Sequence, residues 1–212
     1  MPHRLPERLP RVTANDPLRV LSSACLLGHH VGWEGGPYTA DVALALAACD
    51  RVRITPFCPE DRILGTPRLL TTLHGGNGFD VLDGTARVRD TAGNDHTEDF
   101  LGAAQHMLAL AQAQRIELAI LMEISDSCGS TAVYLGAPDN KEYQQGPGVC
   151  AALLMRHHIP VVGSRDYRTL RSLLQQLGSD RLPPLDEGNF CETPWYQEYF
   201  DRSETPDEAT PD

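Results

Sequence analysis

The feature that most constrains the fold of this 212-residue chain is an alternation of short apolar runs with longer stretches of helical periodicity. LRVLS (18–22), VRITPF (52–57), LAILMEI (118–124) and the run 159–162 read as four strands. LAILMEI is the continuous apolar kind expected of a strand covered on both faces. Helices are expected over 40–48, over 149–157 with Pro147 near the first turn, and over 167–177, where Leu170, Leu173, Leu174 and Leu177 share a face and Gly178 is a stop. A longer helix starts near Asp95. Asp95 and Glu98 have capping-box spacing, and Phe100, Ala104, Met107, Leu108 and Ala111 follow at helical intervals. Short strands are expected near 79–82, near 86–88 and in AVYLG. Strands alternating with helices predict an α/β fold: a single domain with a mostly parallel sheet of about four to five strands, helices on both faces, and a site at the carboxyl ends of the strands.

The length suits one domain with a sizeable core. Residues 1–17, with four prolines and three arginines, are expected to be a flexible leader, 18–180 the α/β domain, and 181–212 a Pro- and acid-rich tail. The aromatic block PWYQEYF in that tail is expected to fold back onto the domain or onto a partner subunit, which leaves a homodimer open. The last dozen residues are expected to be disordered. The formal net charge of −11 gives no basic groove, so a long nucleic acid is disfavoured while a base, a nucleotide or another small molecule remains open. No apolar run has the length of a signal peptide or a membrane span, which points to the cytoplasm and no membrane partner. Six cysteines are too sparse for a disulfide scaffold, and in a reducing compartment they point to metal or catalytic use, with simple burial as the competing reading.

Three of the six cysteines follow predicted strands: Cys25 in SSACLLG, Cys58 in PFCPE and Cys128 in SDSCGS. Ligands gather beyond the carboxyl ends of strands in open parallel sheets, so these thiols could meet at one rim. Cys49, Cys150 and Cys191 read as structural or incidental. Three thiolates suit a soft metal centre, and a [4Fe-4S] cube held by only three keeps one iron free for substrate. Zinc on Cys25, Cys58, Cys128 and His29 is the rival, and three unrelated thiols remain a third reading.

The motifs SACLLG, CPE, TPR, GNDHTEDFLGA and SDSCGS, in this order over about residues 18–165, resemble the bacterial family that includes the thiouracil desulfidases. The resemblance implies an oxygen-sensitive [4Fe-4S] cluster on Cys25, Cys58 and Cys128. It also implies non-redox removal of sulfur from a small thiolated base or nucleotide, with Glu60 and Ser125 as the catalytic pair. Ser127 also fits the motif but adjoins a ligand. The chain departs from the family pattern near the expected pocket. Met122 and Asp126 stand where members commonly have a lysine and a proline. Trp33, Glu34 and Gly35 replace an aromatic–Asp/Asn–Gly triplet, and GAPDNKEYQQGPG differs from the usual short linker.

Each assignment has a plainer alternative. Glu60 could be an acid in a helix's first turn, Ser125 a cap on backbone amides, and Arg68 a surface ion pair rather than a substrate-binding cation. Trp33 could stack on a base or belong to the core. At the level of function, the rivals are a non-catalytic iron–sulfur or zinc protein (a sensor or a structural staple) and a metal-free sulfur carrier or thiol-redox protein. The absence of a CxxC pair weighs against the last.

Overall fold

The computed structural model describes residues 12–135, 142–184 and 187–203. In chain order its elements are β1 (Leu18–Ser23), α1 (Asp41–Ala47), β2 (Val52–Phe57), α2 (Pro59–Leu64), β3 (Thr71–His74), α3 (Gly78–Leu82), β4 (Arg87–Asp90), α4 (Thr97–Ala113), β5 (Leu118–Leu121), β6 (Ala132–Tyr134), β7 (Tyr143–Gln145), α5 (Val149–Arg156), β8 (Val161–Gly163), α6 (Tyr167–Gln176) and α7 (Pro194–Ser203). Single 3-10 turns span Ala24–Leu27 and Phe190–Glu192.

β1, β2, β5 and β8 form one sheet in the order β2-β1-β5-β8, and every pairing is parallel. The register sets Pro56 beside Ser22, Ser22 beside Ile120, and Ile120 beside Val162, so all four carboxyl ends share one edge. Successive residues point to opposite faces, and both faces of the central strand β5 are covered, which is why LAIL reads as an unbroken apolar run, whereas the edge strand β2 keeps Arg53 exposed. Leu21, Ala119, Leu121 and Val161 pack in one cluster with Phe100 and Met107 of α4 and Leu154 of α5. Val20, Leu118, Ile120 and Val162 pack in another with Leu46 of α1 and Leu170, Leu173 and Leu174 of α6. Burying one such side chain contributes about 1.5–3 kcal/mol. The α/β fold with helices on both faces is therefore as the sequence predicts. Two antiparallel hairpins, β3–β4 and β6–β7, are added at its periphery.

Several local expectations are corrected. Residues 79–82 form the helix α3, not a strand. Asn77 accepts the Phe79 N–H while Asp80 accepts the Asn77 N–H, a capping box that overrides the apolar run FDVL. The box expected at Asp95 and Glu98 is not the one used at α4. That helix starts at Thr97, with Asp95 accepting the Thr97 N–H at 2.9 Å. β5 ends at Leu121, three residues early, because the next amide, that of Met122, donates to the Ser23 hydroxyl at 3.0 Å instead of extending the ladder. β3 and β7 (TTLH and YQQ) lack an apolar alternation and owe their pairing to their neighbours.

The aromatic block of the tail forms α7 and folds back onto the domain. The Tyr199 hydroxyl accepts the Tyr143 N–H at 2.9 Å, and the Tyr196 hydroxyl donates to the Thr131 carbonyl at 3.2 Å. The expected leader falls mostly on residues 1–11, and the expected disordered end mostly on 204–212, both outside the described residues. No described helix is long and apolar enough to cross a membrane.

Candidate active site

The three cysteines singled out by strand position arrive at one rim. Cys25 lies in the 3-10 turn that continues β1. Cys58 joins β2 to α2, and its sulfur accepts the Asp61 N–H at 3.4 Å. Cys128 lies on the loop from β5 to β6, and its sulfur accepts from the Ser127 hydroxyl at 3.5 Å. Because β2, β1 and β5 are adjacent, their carboxyl ends carry all three thiols to the wall of a cavity of about 350 Å³. Cys49 and Cys191 lie outside that wall. Cys150 is sealed in α5 behind it.

Burial pushes the Cys25 thiol up to about 12, with Cys58 and Glu60 adding to the shift. Burial likewise raises Cys58 and Cys128. The charge of Cys58 is felt at both Cys25 and Cys128, which marks the three as electrostatic neighbours. Three thiols buried in this way stay protonated unless a cation joins them. A bound soft metal centre supplies that charge and deprotonates its thiol ligands outright, so the donor set fits an iron–sulfur cluster. A single tetrahedral zinc would need its sulfurs about 3.8 Å apart. Among the described residues no three His, Cys, Asp or Glu side chains converge to hold one ion. His29 is exposed and off the cavity wall, because its N–H closes a turn on the Ala24 carbonyl and its ring leaves the rim. The four-residue zinc set is therefore not assembled.

Glu60 lies beside the thiols on the same wall, in the first turn of α2. Its Oε2 accepts from Arg68 Nε at 3.2 Å and Nη2 at 2.8 Å. Its Oε1 accepts from the Ser127 hydroxyl at 2.5 Å and the Ser125 hydroxyl at 3.3 Å. Arg68 donates further to the carbonyls of Val31 and Gly65 and to the Thr66 hydroxyl. Its side chain is only 6% exposed, so it is no surface ion pair; it lines the cavity with its N–H groups already engaged by Glu60, Val31, Gly65 and Thr66. Ser125 also accepts the Cys128 N–H at 3.2 Å, so it caps the loop and faces Glu60 at once. Trp33 lines the cavity with Tyr38 and Tyr134, and its carbonyl accepts the Arg68 N–H at 2.9 Å.

Two acids on the loop after β5 were not singled out as site residues by the sequence reading. Glu123 is 1% exposed and turned inward. Its Oε1 accepts the N–H groups of Ser130, Thr131 and Ala132 at 3.1–3.3 Å and the Thr131 hydroxyl at 3.2 Å, and its Oε2 accepts from the Ser130 hydroxyl. Burial raises its pKa against those donors. The chain is thus wrapped around one carboxylate, and Gly163 is required because a Cβ there would collide with it. The loop is pinned from outside by α5, whose Val149 and Cys150 N–H groups donate to the carbonyls of Asp126 and Ser127. A Cβ at Gly148 would come within 2.6 Å of that loop's backbone. The signal for Glu123 was available: it is the one charge inside the apolar run LAILMEI. Asp126 is buried on the cavity wall, with Oδ2 accepting from the Thr71 hydroxyl at 3.2 Å and Oδ1 without a hydrogen-bond partner. Burial and then the Glu60 charge hold its pKa well above the ordinary carboxylate range.

A solved structure shares this frame, and a curated sequence is similar to the chain. A solved structure of the [4Fe-4S]-dependent thiouracil desulfidase TudS superposes with a TM-score of 0.61 at 32% identity, covering 74% of this chain and 98% of that one. YbbK of Bacillus subtilis (strain 168), an uncharacterized protein, is 35% identical over 150 residues, which are 69% of this chain and 96% of YbbK. The profile of the 2-thiouracil desulfurase family matches residues 20–166, from β1 to the turn after β8, and so includes all three rim cysteines and Glu60. The chain belongs to the 2-thiouracil desulfurase family.

Proposed function

We propose that the protein removes sulfur from a small thiolated base or nucleotide, with a [4Fe-4S] cluster held by Cys25, Cys58 and Cys128. The observation that carries the reading is the meeting of three soft ligands and the Glu60–Ser125–Ser127 group on one cavity wall. A structural staple or sensor has no need of the adjoining cavity. The membership in the 2-thiouracil desulfurase family and the likeness to TudS support the same reaction class.

A cluster held by Cys25, Cys58 and Cys128 would supply a Lewis acid able to polarise a thiocarbonyl and take up its sulfur. The chain's own residues then have defined tasks. Glu60 takes a proton from a water that attacks the polarised ring carbon. This general-base role contributes about 10²–10⁴-fold. Arg68 fixes Oε2, which leaves Oε1 as the oxygen in play. Ser127, almost fully buried, holds Oε1 in place, whereas the half-buried Ser125 is the hydroxyl that can reach substrate and pass the proton. Trp33 offers a flat face to the ring. Oxygen replaces sulfur on the carbon, sulfur leaves as hydrosulfide, and no electrons are gained or lost overall.

Anaerobic reconstitution, followed by iron and sulfide counting and a hydrosulfide assay over a panel of thiobases and thionucleotides, tests the proposal. Four irons per chain and hydrosulfide release are expected. Serine at Cys25, Cys58 or Cys128 should lower the iron content, while serine at Cys150 should not. Colourless, iron-free protein after reconstitution would return the thiols to a metal-free role.

A further inference from the structure

Asp126 is the one acid of the cavity wall that has an unused hydrogen-bonding atom. Both oxygens of Glu60 are engaged by protein donors, whereas Oδ1 of Asp126 has no hydrogen bond of full geometry: Thr71 holds Oδ2, and the Tyr134 N–H faces the carboxyl and favours its charged form. A buried polar atom left without a partner costs about 1–3 kcal/mol, so a residue that keeps one next to a cavity is poised for a partner that arrives with the ligand. The loop leaves Asp126 little freedom to relieve this by turning away. Its carbonyl is bound by the Val149 N–H at 2.8 Å, and Gly148 lies against its backbone. Thr71, from the β3–β4 hairpin, fixes its second oxygen.

We infer that Asp126 is a specificity-determining residue, whose unpaired Oδ1 accepts a hydrogen bond from a ring N–H of the substrate, a capacity that a carboxyl oxygen keeps in either protonation state. This rests on the desulfidase reading above and narrows its substrate class to thiolated heterocycles that keep that N–H, as the lactam form of a thiopyrimidine does. N-alkylation at that nitrogen removes the donor and leaves Oδ1 unpaired in the complex. A wall built this way rejects such an analogue far more strongly than an apolar wall rejects an extra methyl group.

The test compares 2-thiouracil with its N1-methyl and N3-methyl derivatives as substrates of the reconstituted protein. In parallel, calorimetry measures the binding of uracil and its two N-methyl derivatives, which needs no turnover. In the wild-type protein one methyl isomer of each pair should lose at least about tenfold in kcat/KM or affinity. Asp126→Ala should shrink that loss to within about threefold, and Asp126→Asn, which keeps an accepting oxygen, should preserve it. Asp126→Leu, close in volume, replaces the alanine variant if that one does not fold. Equal handling of both isomers by the wild-type protein, or unchanged discrimination in the apolar variants, overturns the inference while leaving desulfuration standing. Selective uracil binding without any hydrosulfide release retains the inference and removes the desulfidase reading. Neither binding nor turnover of any pyrimidine removes both.

Discussion

Two segments of the rim each bring one cysteine and one glutamate, yet use them in opposite ways. At the β2–α2 junction, Cys58 is followed two residues later by Glu60, which lines the cavity and is held by the side chains of Arg68, Ser125 and Ser127. On the β5–β6 loop, Glu123 precedes Cys128 by five residues, points inward, and is held chiefly by the backbone amides of its own loop. Hydroxyl partners can rotate and exchange protons, and a carboxylate among them can act on a ligand. Amide partners are fixed by the chain, and a carboxylate among them shapes a loop. Both carboxylates accept from two hydroxyls, so it is the three loop amides around Glu123 and the cavity beside Glu60 that separate the glutamate that shapes the loop from the one placed to meet a ligand.

The comparison breaks most visibly at Glu60. Glu60→Gln should lower turnover by about 10²–10⁴-fold, while iron content stays close to wild type and thermal stability falls because the enclosed Arg68 loses its counter-charge. Normal hydrosulfide release from that variant would remove Glu60 as the base. The complementary change, Glu123→Leu, strands several buried amides at about 1–3 kcal/mol each. It should lower the melting temperature by roughly 10 °C for a domain of this size and reduce cluster loading through disorder at Cys128. A thermal scan and iron counting check both, and an unaltered melting temperature would contradict the anchoring role.

Ser127→Ala sharpens the boundary between the two segments, because Ser127 sits on the second loop but serves the first glutamate. Loss of its 2.5 Å bond to Oε1 should cost roughly tenfold in kcat, about 1.4 kcal/mol, with little change in stability. A larger effect than that of Ser125→Ala would reverse the roles assigned to the two hydroxyls. The smallest effect lies away from both glutamates. His96 at the start of α4 is paired with Asp90 at 3.0 Å and Asp99 at 3.1 Å, and the Asp90 bond raises its pKa most. A raised folded value means that its stabilisation is complete below the unfolded value of about 6.5 and is lost as pH rises through the folded one. The wild-type melting temperature should therefore fall slightly above neutrality, and His96→Gln should abolish that slope. An identical slope in both proteins would dissociate the pair from stability.

The sequence by itself determined the α/β class, the core strands to within a few residues, and the three cysteines that reach the rim. The physical reason is that strands buried on both faces must be continuously apolar, and residues just past such runs land on one edge of a parallel sheet. It also located Glu60, Ser125 and Ser127 by motif. What only the tertiary structure decided is how those groups pair. Arg68, read as a cation for substrate, is enclosed as the partner of Glu60 by acceptors from Val31, Gly65 and Thr66, none of which a local pattern can assign. Residues 79–82 became a helix through a cap at Asn77 and Asp80, where local chemistry prevailed over an apolar run. The inward turn of Glu123, the unpaired buried oxygen of Asp126 and the return of α7 depend on contacts between residues far apart in the chain. A hydrogen bond across 65 positions, such as Ser125 to Glu60, leaves no periodicity to be read before the chain folds.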